Sequence, residues 1–137
     1  MNKKYIFLEH TADVKFQAFG KNIEEAFSNS AFALREVMTE KARIKDKIKK
    51  KIVVKGKDKE KLLYNFLEEF LVLFDSKEFV LSKIKRIKIE DNKLEAEISG
   101  DDARNYKFSN SVKAITYNQM LIKQEKGKWI VQVVLDV

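Results

Sequence analysis

The 137-residue sequence has no cysteine and no proline, only four glycines, and a single histidine. Each shortage removes a class of function. Without cysteine there are no disulfides, zinc–thiolate sites, iron–sulfur clusters or thiol nucleophiles. The lone His10 cannot build a histidine-rich metal centre. Gly20, Gly56, Gly100 and Gly127 lie far apart, so there is no P-loop and no G-x-G-x-x-G phosphate cradle. No serine sits in a G-x-S-x-G elbow. No apolar run approaches the roughly 20 residues that span a bilayer. The opening Met1-Asn2-Lys3-Lys4-Tyr5 runs straight into a strand pattern and lacks the apolar stretch of a signal peptide. A cytoplasmic chain without a membrane partner is expected. With no linker, no repeat and 45% hydrophobic residues, residues 1–137 are expected to form a single domain with a sizeable core.

What is present is charge of one sign, concentrated in one place. The formal net charge is +7. Residues 41–61 hold eleven basic side chains against Asp46, Asp58 and Glu60, leaving +8 there and −1 on the rest of the chain. The excess is therefore a local feature. It reads either as a solvated strand whose lysines protect an exposed edge or as a docking surface for RNA or an acidic partner. No aromatic residue is interleaved with those lysines, which disfavours base stacking.

Apolar spacing predicts strands over residues 4–9 and 13–19, where Val14, Phe16 and Ala18 alternate with Lys15 and Gln17. Asn22 with Glu25 three residues on has the spacing of a capping box. Behind it Ile23, Ala26, Phe27, Ala31, Leu34 and Met38 share a helical face. A basic strand is expected over 44–55. Asp58 then caps a second helix striped by Leu62, Leu63, Phe66, Leu67, Phe70, Leu71 and Phe74, a core stripe. Strands are expected near 79–90 and 93–99, turning at Asp91-Asn92, and near 111–122 and 128–136, joined around Gly127. The fold class expected is α+β, two helices packed on a mixed, largely antiparallel β-sheet.

The candidate chemistry rests on acids. Asp13 and Asp136 each flank a strongly apolar strand, where an unpaired charge is costly. If the two strands bring them together, they and the oxygens of Val137 offer hard donors suited to Ca²⁺, Mg²⁺ or Mn²⁺. The alternative is that Asp13 caps a turn through backbone N–H groups. Asp101 and Asp102, in a glycine-led polar stretch, are a weaker cation candidate. Lys113 is a charge inside an otherwise apolar strand.

Together, Phe7-Leu8-Glu9-His10-Thr11-Ala12-Asp13-Val14, the helix start Asn22-Ile23-Glu24-Glu25-Ala26-Phe27, Val112-Lys113-Ala114-Ile115-Thr116-Tyr117 and Asp136-Val137 resemble the archease family over essentially the whole chain. The resemblance implies a small α+β protein that is not itself an enzyme. It implies a partner, an RtcB-type RNA ligase of tRNA splicing and RNA repair, whose GTP-dependent guanylylation and multiple turnover it promotes. It implies a divalent-metal site of Asp13, Asp136 and Val137, with Ca²⁺ the first expectation and Mg²⁺ or Mn²⁺ as alternatives. His10 and Lys113 match motif positions and are expected to face the partner. Two positions depart from the family pattern: Lys15 replaces a glycine, and Asn118 a histidine. Two rival functions remain, an RNA-binding module built on residues 41–61 and, more remotely, a metal-dependent hydrolase.

Overall fold

The computed structural model describes residues 3–40, 42–108 and 111–137. Its elements in chain order are β1 (Tyr5–Leu8), β2 (Val14–Gly20), α1 (Ile23–Thr39), β3 (Ile48–Lys55), α2 (Lys59–Lys77), β4 (Phe79–Glu90), β5 (Lys93–Asp102), β6 (Ala114–Glu125) and β7 (Lys128–Asp136). A short 3₁₀ turn, Ala103–Asn105, follows β5. The α+β class is as expected. The single mixed sheet is not: among the described residues the strands form two sheets, ordered β1-β2-β7-β6 and β3-β5-β4, and every pairing is antiparallel. Period-2 patterning marks strands but carries no information on which strands pair.

Both helices start where their caps dictate. Asn22 Oδ1 accepts the Glu25 N–H at 2.8 Å and Asp58 Oδ1 accepts the Lys61 N–H at 2.8 Å. The Glu25 carboxylate turns back to the Lys21 N–H at 2.9 Å, one residue before the cap. Each helix lies against both sheets, α1 on β2, β7 and β4, and α2 on β6, β3, β4 and β5. One apolar cluster therefore takes Phe16 from β2, Phe27 and Leu34 from α1, Leu63 and Phe66 from α2, Leu94 and Ile98 from β5, and Val131 and Val133 from β7. Phe27 and Phe66 join the helices by ring stacking at 6.2 Å, and burying each such side chain contributes roughly 1.5–3 kcal/mol.

The turns follow local chemistry. Asp91 and Asn92 both take positive φ, as do Lys126 and Gly127, the geometry of tight hairpins between twisted strands. Gly100, paired between Ile48 and Leu81, leaves no room for a Cβ, which would run into the Val80 carbonyl oxygen and the Phe79 ring.

Three boundaries move. The basic strand begins at Ile48, four residues later than its composition suggested. β5 continues through Asp102, so the polar stretch after residue 99 is partly strand. β6 begins at Ala114 and runs to Glu125, and Lys41 of the basic segment lies outside the described residues.

Candidate functional site

β7 is the central strand of three that end together. Its last residues pair on one side with the start of β2, Val14 opposite Leu135, and on the other with the start of β6, Ala114 opposite Asp136. Continuing the β2–β7 register by one residue sets Asp13 opposite Asp136. Just beyond β6, the Lys113 N–H donates to the Asp136 carbonyl oxygen at 2.8 Å. The sheet thus gathers Asp13, Lys113, Asp136 and Val137 at one end, although they are spread across the whole sequence.

The register is not free to slip. Phe16 faces Val133 and Ala18 faces Val131, and all four side chains are fully buried. A one-residue slip would turn each of them to the opposite face.

His10 lies in the connection between β1 and β2. Its Nδ1 is enclosed and has no hydrogen-bond partner among the described residues. Asp13 Oδ2 lies 3.8 Å away, too far for a hydrogen bond. An acidic groove of about 650 Å³ opens beside it, with Glu9, His10 and Asp13 on one wall and Glu36 of α1 and Glu40, just past its end, on the other. Glu36 accepts from the Tyr5 hydroxyl at 2.7 Å. Burial, and then that carboxylate, push the Tyr5 phenol up to about 12. Asp136 is not among the groove walls.

Among the described residues no three His, Asp or Glu side chains converge closely enough to form a cage for a metal ion. The side chains of Asp13 and Asp136 are both part-buried, and neither carboxylate accepts a hydrogen bond from another described residue. Part-buried carboxylates without donors are suited to a cation. Asp13 is therefore not a turn cap through its side chain. The remaining donors would have to be main-chain oxygens, such as that of Val137, and water.

The two departures from the family pattern occupy neighbouring ground. Between Thr116 and Leu121, β6 leaves its register with β7, and Gln119 takes φ 54°. Lys15 reaches from β2 to Gln119 Oε1 at 2.7 Å, while Gln132 Nε2 of β7 donates to the Gln119 carbonyl at 2.8 Å. The Lys15 ammonium is thus engaged at the bulge that carries Asn118. This bulge was not visible in the sequence. Its one local signal is the polar Asn118-Gln119 pair interrupting the strand pattern.

Asp101 turns out to be structural. It is 3% exposed, and accepts the Tyr106 hydroxyl at 2.7 Å and the Asp102 N–H at 2.8 Å. The Tyr106 hydroxyl in turn accepts the Lys45 N–H at 2.8 Å. The Tyr106 bond holds the Asp101 carboxyl below the ordinary range. Asp102 is bound by Arg104, whose Nη2 lies 2.6 Å from Oδ2, and that guanidinium holds it at about 2.

Sequence reasoning also missed an aromatic pair of one partly buried and one exposed ring. Tyr64 of α2 stacks on Tyr117 of β6 at 4.5 Å and 9°, and Lys61 Nζ lies 4.9 Å from the Tyr64 ring centre.

The sequence profile of the archease protein family (MTH1598/TM1083) matches residues 5–137. The chain belongs to the archease family. Archease of Methanosarcina mazei is 36% identical over 141 residues, covering 98% of this chain and 97% of that one. Archease of Pyrococcus abyssi is 38% identical over 142 residues, with 98% and 99% covered. The solution structure of Methanobacterium thermoautotrophicum protein 1598 superimposes with a TM-score of 0.80 at 30% identity, covering 98% of this chain and 99% of that one. A Thermotoga maritima archease, described as a possible chaperone, shares the fold at a TM-score of 0.65 and 23% identity, covering 100% and 98%. No helix among the described residues is long and apolar enough to cross a membrane.

Proposed function

We propose that this archease is the protein activator of an RtcB-type RNA ligase, promoting the ligase's GTP-dependent guanylylation and its multiple turnover. The observation that carries the proposal is the β2–β7–β6 register. It gathers Asp13, Asp136, Val137 and Lys113, four of the five positions that the family resemblance names, at one sheet end. No nucleophile motif stands beside them, which favours a site offered to another protein over a catalytic centre.

In this reading Asp13, Asp136 and a Val137 oxygen would hold a divalent ion, Ca²⁺, Mg²⁺ or Mn²⁺, which when bound would supply charge neutralisation for a phosphoryl group. The chain's own residues do the rest. The Lys113 main chain fixes the Asp136 backbone. The Lys113 side chain is exposed and has no ion-pair partner among the described residues, so its ammonium is available to an anion. His10 lies beside Asp13, its Nδ1 3.8 Å from Oδ2, on the same wall of the groove.

The test is multiple-turnover RNA joining by an RtcB-type ligase with substoichiometric archease. Repeated ligase turnover is expected only when the archease is present. Equal turnover without it would overturn the partnership. Undiminished stimulation by Asp136→Ala would overturn the metal-site mechanism alone.

A further inference from the structure

The basic segment resolves into something different from a lysine-rich strand. Lys57, Lys59 and Lys61 belong to the turn before α2 and to its first residues. Lys50 lies inward, its ammonium 5.5 Å from the Phe79 ring centre. The strand residues left facing out are Lys49, Lys51, Val53 and Lys55. Their partners on β5 are Ser99, Glu97, Glu95 and Lys93. Across β5, the β4 residues in the same rows are Lys83, Arg86, Lys88 and Glu90. The opposite face, with Leu94, Ala96 and Ile98, is buried.

The result is a solvent-facing sheet with cations along both edges and two carboxylates, Glu95 and Glu97, along the middle. The edges are two strand spacings apart, about 10 Å. Lys49 and Lys51 lie about 7 Å apart on one edge, a spacing like that of neighbouring phosphates on one nucleic-acid strand, and Lys55 follows Lys51 after about twice that distance. Some of these charges are internally paired: Asp46 takes Lys85 at 2.6 Å and Lys83 at 3.8 Å, Lys88 pairs with Glu90 and Lys93 with Glu95. Lys49, Lys51, Lys55 and Arg86 have no ion-pair partner among the described residues.

We propose that this face of the β3-β5-β4 sheet docks double-stranded RNA, its two basic edges meeting the phosphates of the two strands and Glu95 and Glu97 meeting 2′-hydroxyl donors between them. Three features select that occupant. The face carries no aromatic side chain, so single-stranded bases have nothing on which to stack. It offers only Val53 as an exposed apolar residue, whereas protein interfaces need buried anchors. Central carboxylates would repel a bare phosphate track but can accept from the 2′-hydroxyls that line the RNA minor groove. The proposal does not depend on the ligase partnership.

Fluorescence anisotropy with a 20-base-pair RNA duplex, the matching DNA duplex and either single strand tests it. The RNA duplex is expected to bind tightest, with affinity falling steeply as salt rises. The Lys51→Gln/Arg86→Gln variant is expected to bind at least about tenfold more weakly and to reduce the salt slope by about 2. Lys126→Gln, in the β6–β7 hairpin of the other sheet, is expected to behave as wild type. Thermal melts of all variants confirm folding, since both altered side chains are exposed. No RNA binding at about 50 mM salt, a flat salt response, an undiminished double variant, or equal binding of single strands would each overturn the proposal. Capture of polyglutamate without RNA binding would also overturn it and assign the face to an acidic protein.

Discussion

Asp13 and Asp136 each lie one residue beyond the Val14–Leu135 pair that ends the β2–β7 ladder, at the same end of the sheet. Their arrival at that shared end is a consequence of core packing. Phe16 and Ala18 can reach the core only in this register, and the register carries the acids with them. Phe16→Ala should therefore cost about 3–5 kcal/mol in urea unfolding. It should also weaken any function that needs the two acids together.

A divalent ion held by these acids should stabilise the fold by mass action. Calcium or manganese at about a hundred times its Kd should add about 2.7 kcal/mol, seen as a rise of several degrees in melting temperature. Asp136→Asn should melt normally without metal and lose that rise. An equal rise in the variant would place the ion elsewhere.

Lys113 presents an exposed ammonium while its backbone serves the sheet. Lys113→Ala should leave the melting temperature within about 1–2 °C of wild type, because surface substitutions cost at most about 0.5 kcal/mol. Ligase stimulation should nonetheless fall at least about tenfold. A parallel loss of stability would mark the lysine as structural.

The Asp101–Tyr106 bond makes stability depend on pH in a defined direction. The carboxyl of Asp101 is held below its ordinary value, chiefly by the Tyr106 hydroxyl. Its contribution is fully present above the unfolded carboxyl range, near about 3.9, and is lost as pH falls through the lower folded value. Tyr106→Phe should thus be less stable than wild type at neutral pH, with the gap narrowing below about pH 4. A gap constant from pH 7 to 2 would exclude the linkage.

A Cβ at Gly100 would run into the Val80 carbonyl oxygen and the Phe79 ring. Gly100→Ala should destabilise by about 1–3 kcal/mol through overpacking, as thermal melting will report. Gly127, at φ 72° with nothing near its missing Cβ, should accept Asn at far smaller cost.

Local chemistry was legible in the sequence wherever a neighbouring residue decides the outcome. Asn22 and Asp58 cap the helices, Asp91-Asn92 turns a hairpin, and the apolar spacing from Leu62 to Leu71 buries one face of α2. Pairing was not legible, because alternation in Phe16 or Ile98 gives a face without naming its neighbour. That is why two sheets were read as one. Asp13 and Asp136 read as acids beside apolar strands, but their arrival at one sheet end depends on β7 entering between β2 and β6. The Lys15–Gln119 contact and the Tyr64–Tyr117 stack both lie at the β6 bulge, whose one local signal is the polar Asn118-Gln119 pair. The outward basic face depends on β4, which lies beyond α2 from the strand lysines that suggested it.

The most direct test of the central claim is guanylylation of an RtcB-type ligase by GTP in the presence of wild-type archease or its Asp13→Asn/Asp136→Asn variant, with binding to the ligase measured in parallel. The expected result is strong stimulation by wild type and loss of at least about tenfold in the variant, with ligase binding retained. Full stimulation by the variant would contradict the assignment of these two acids as the functional site.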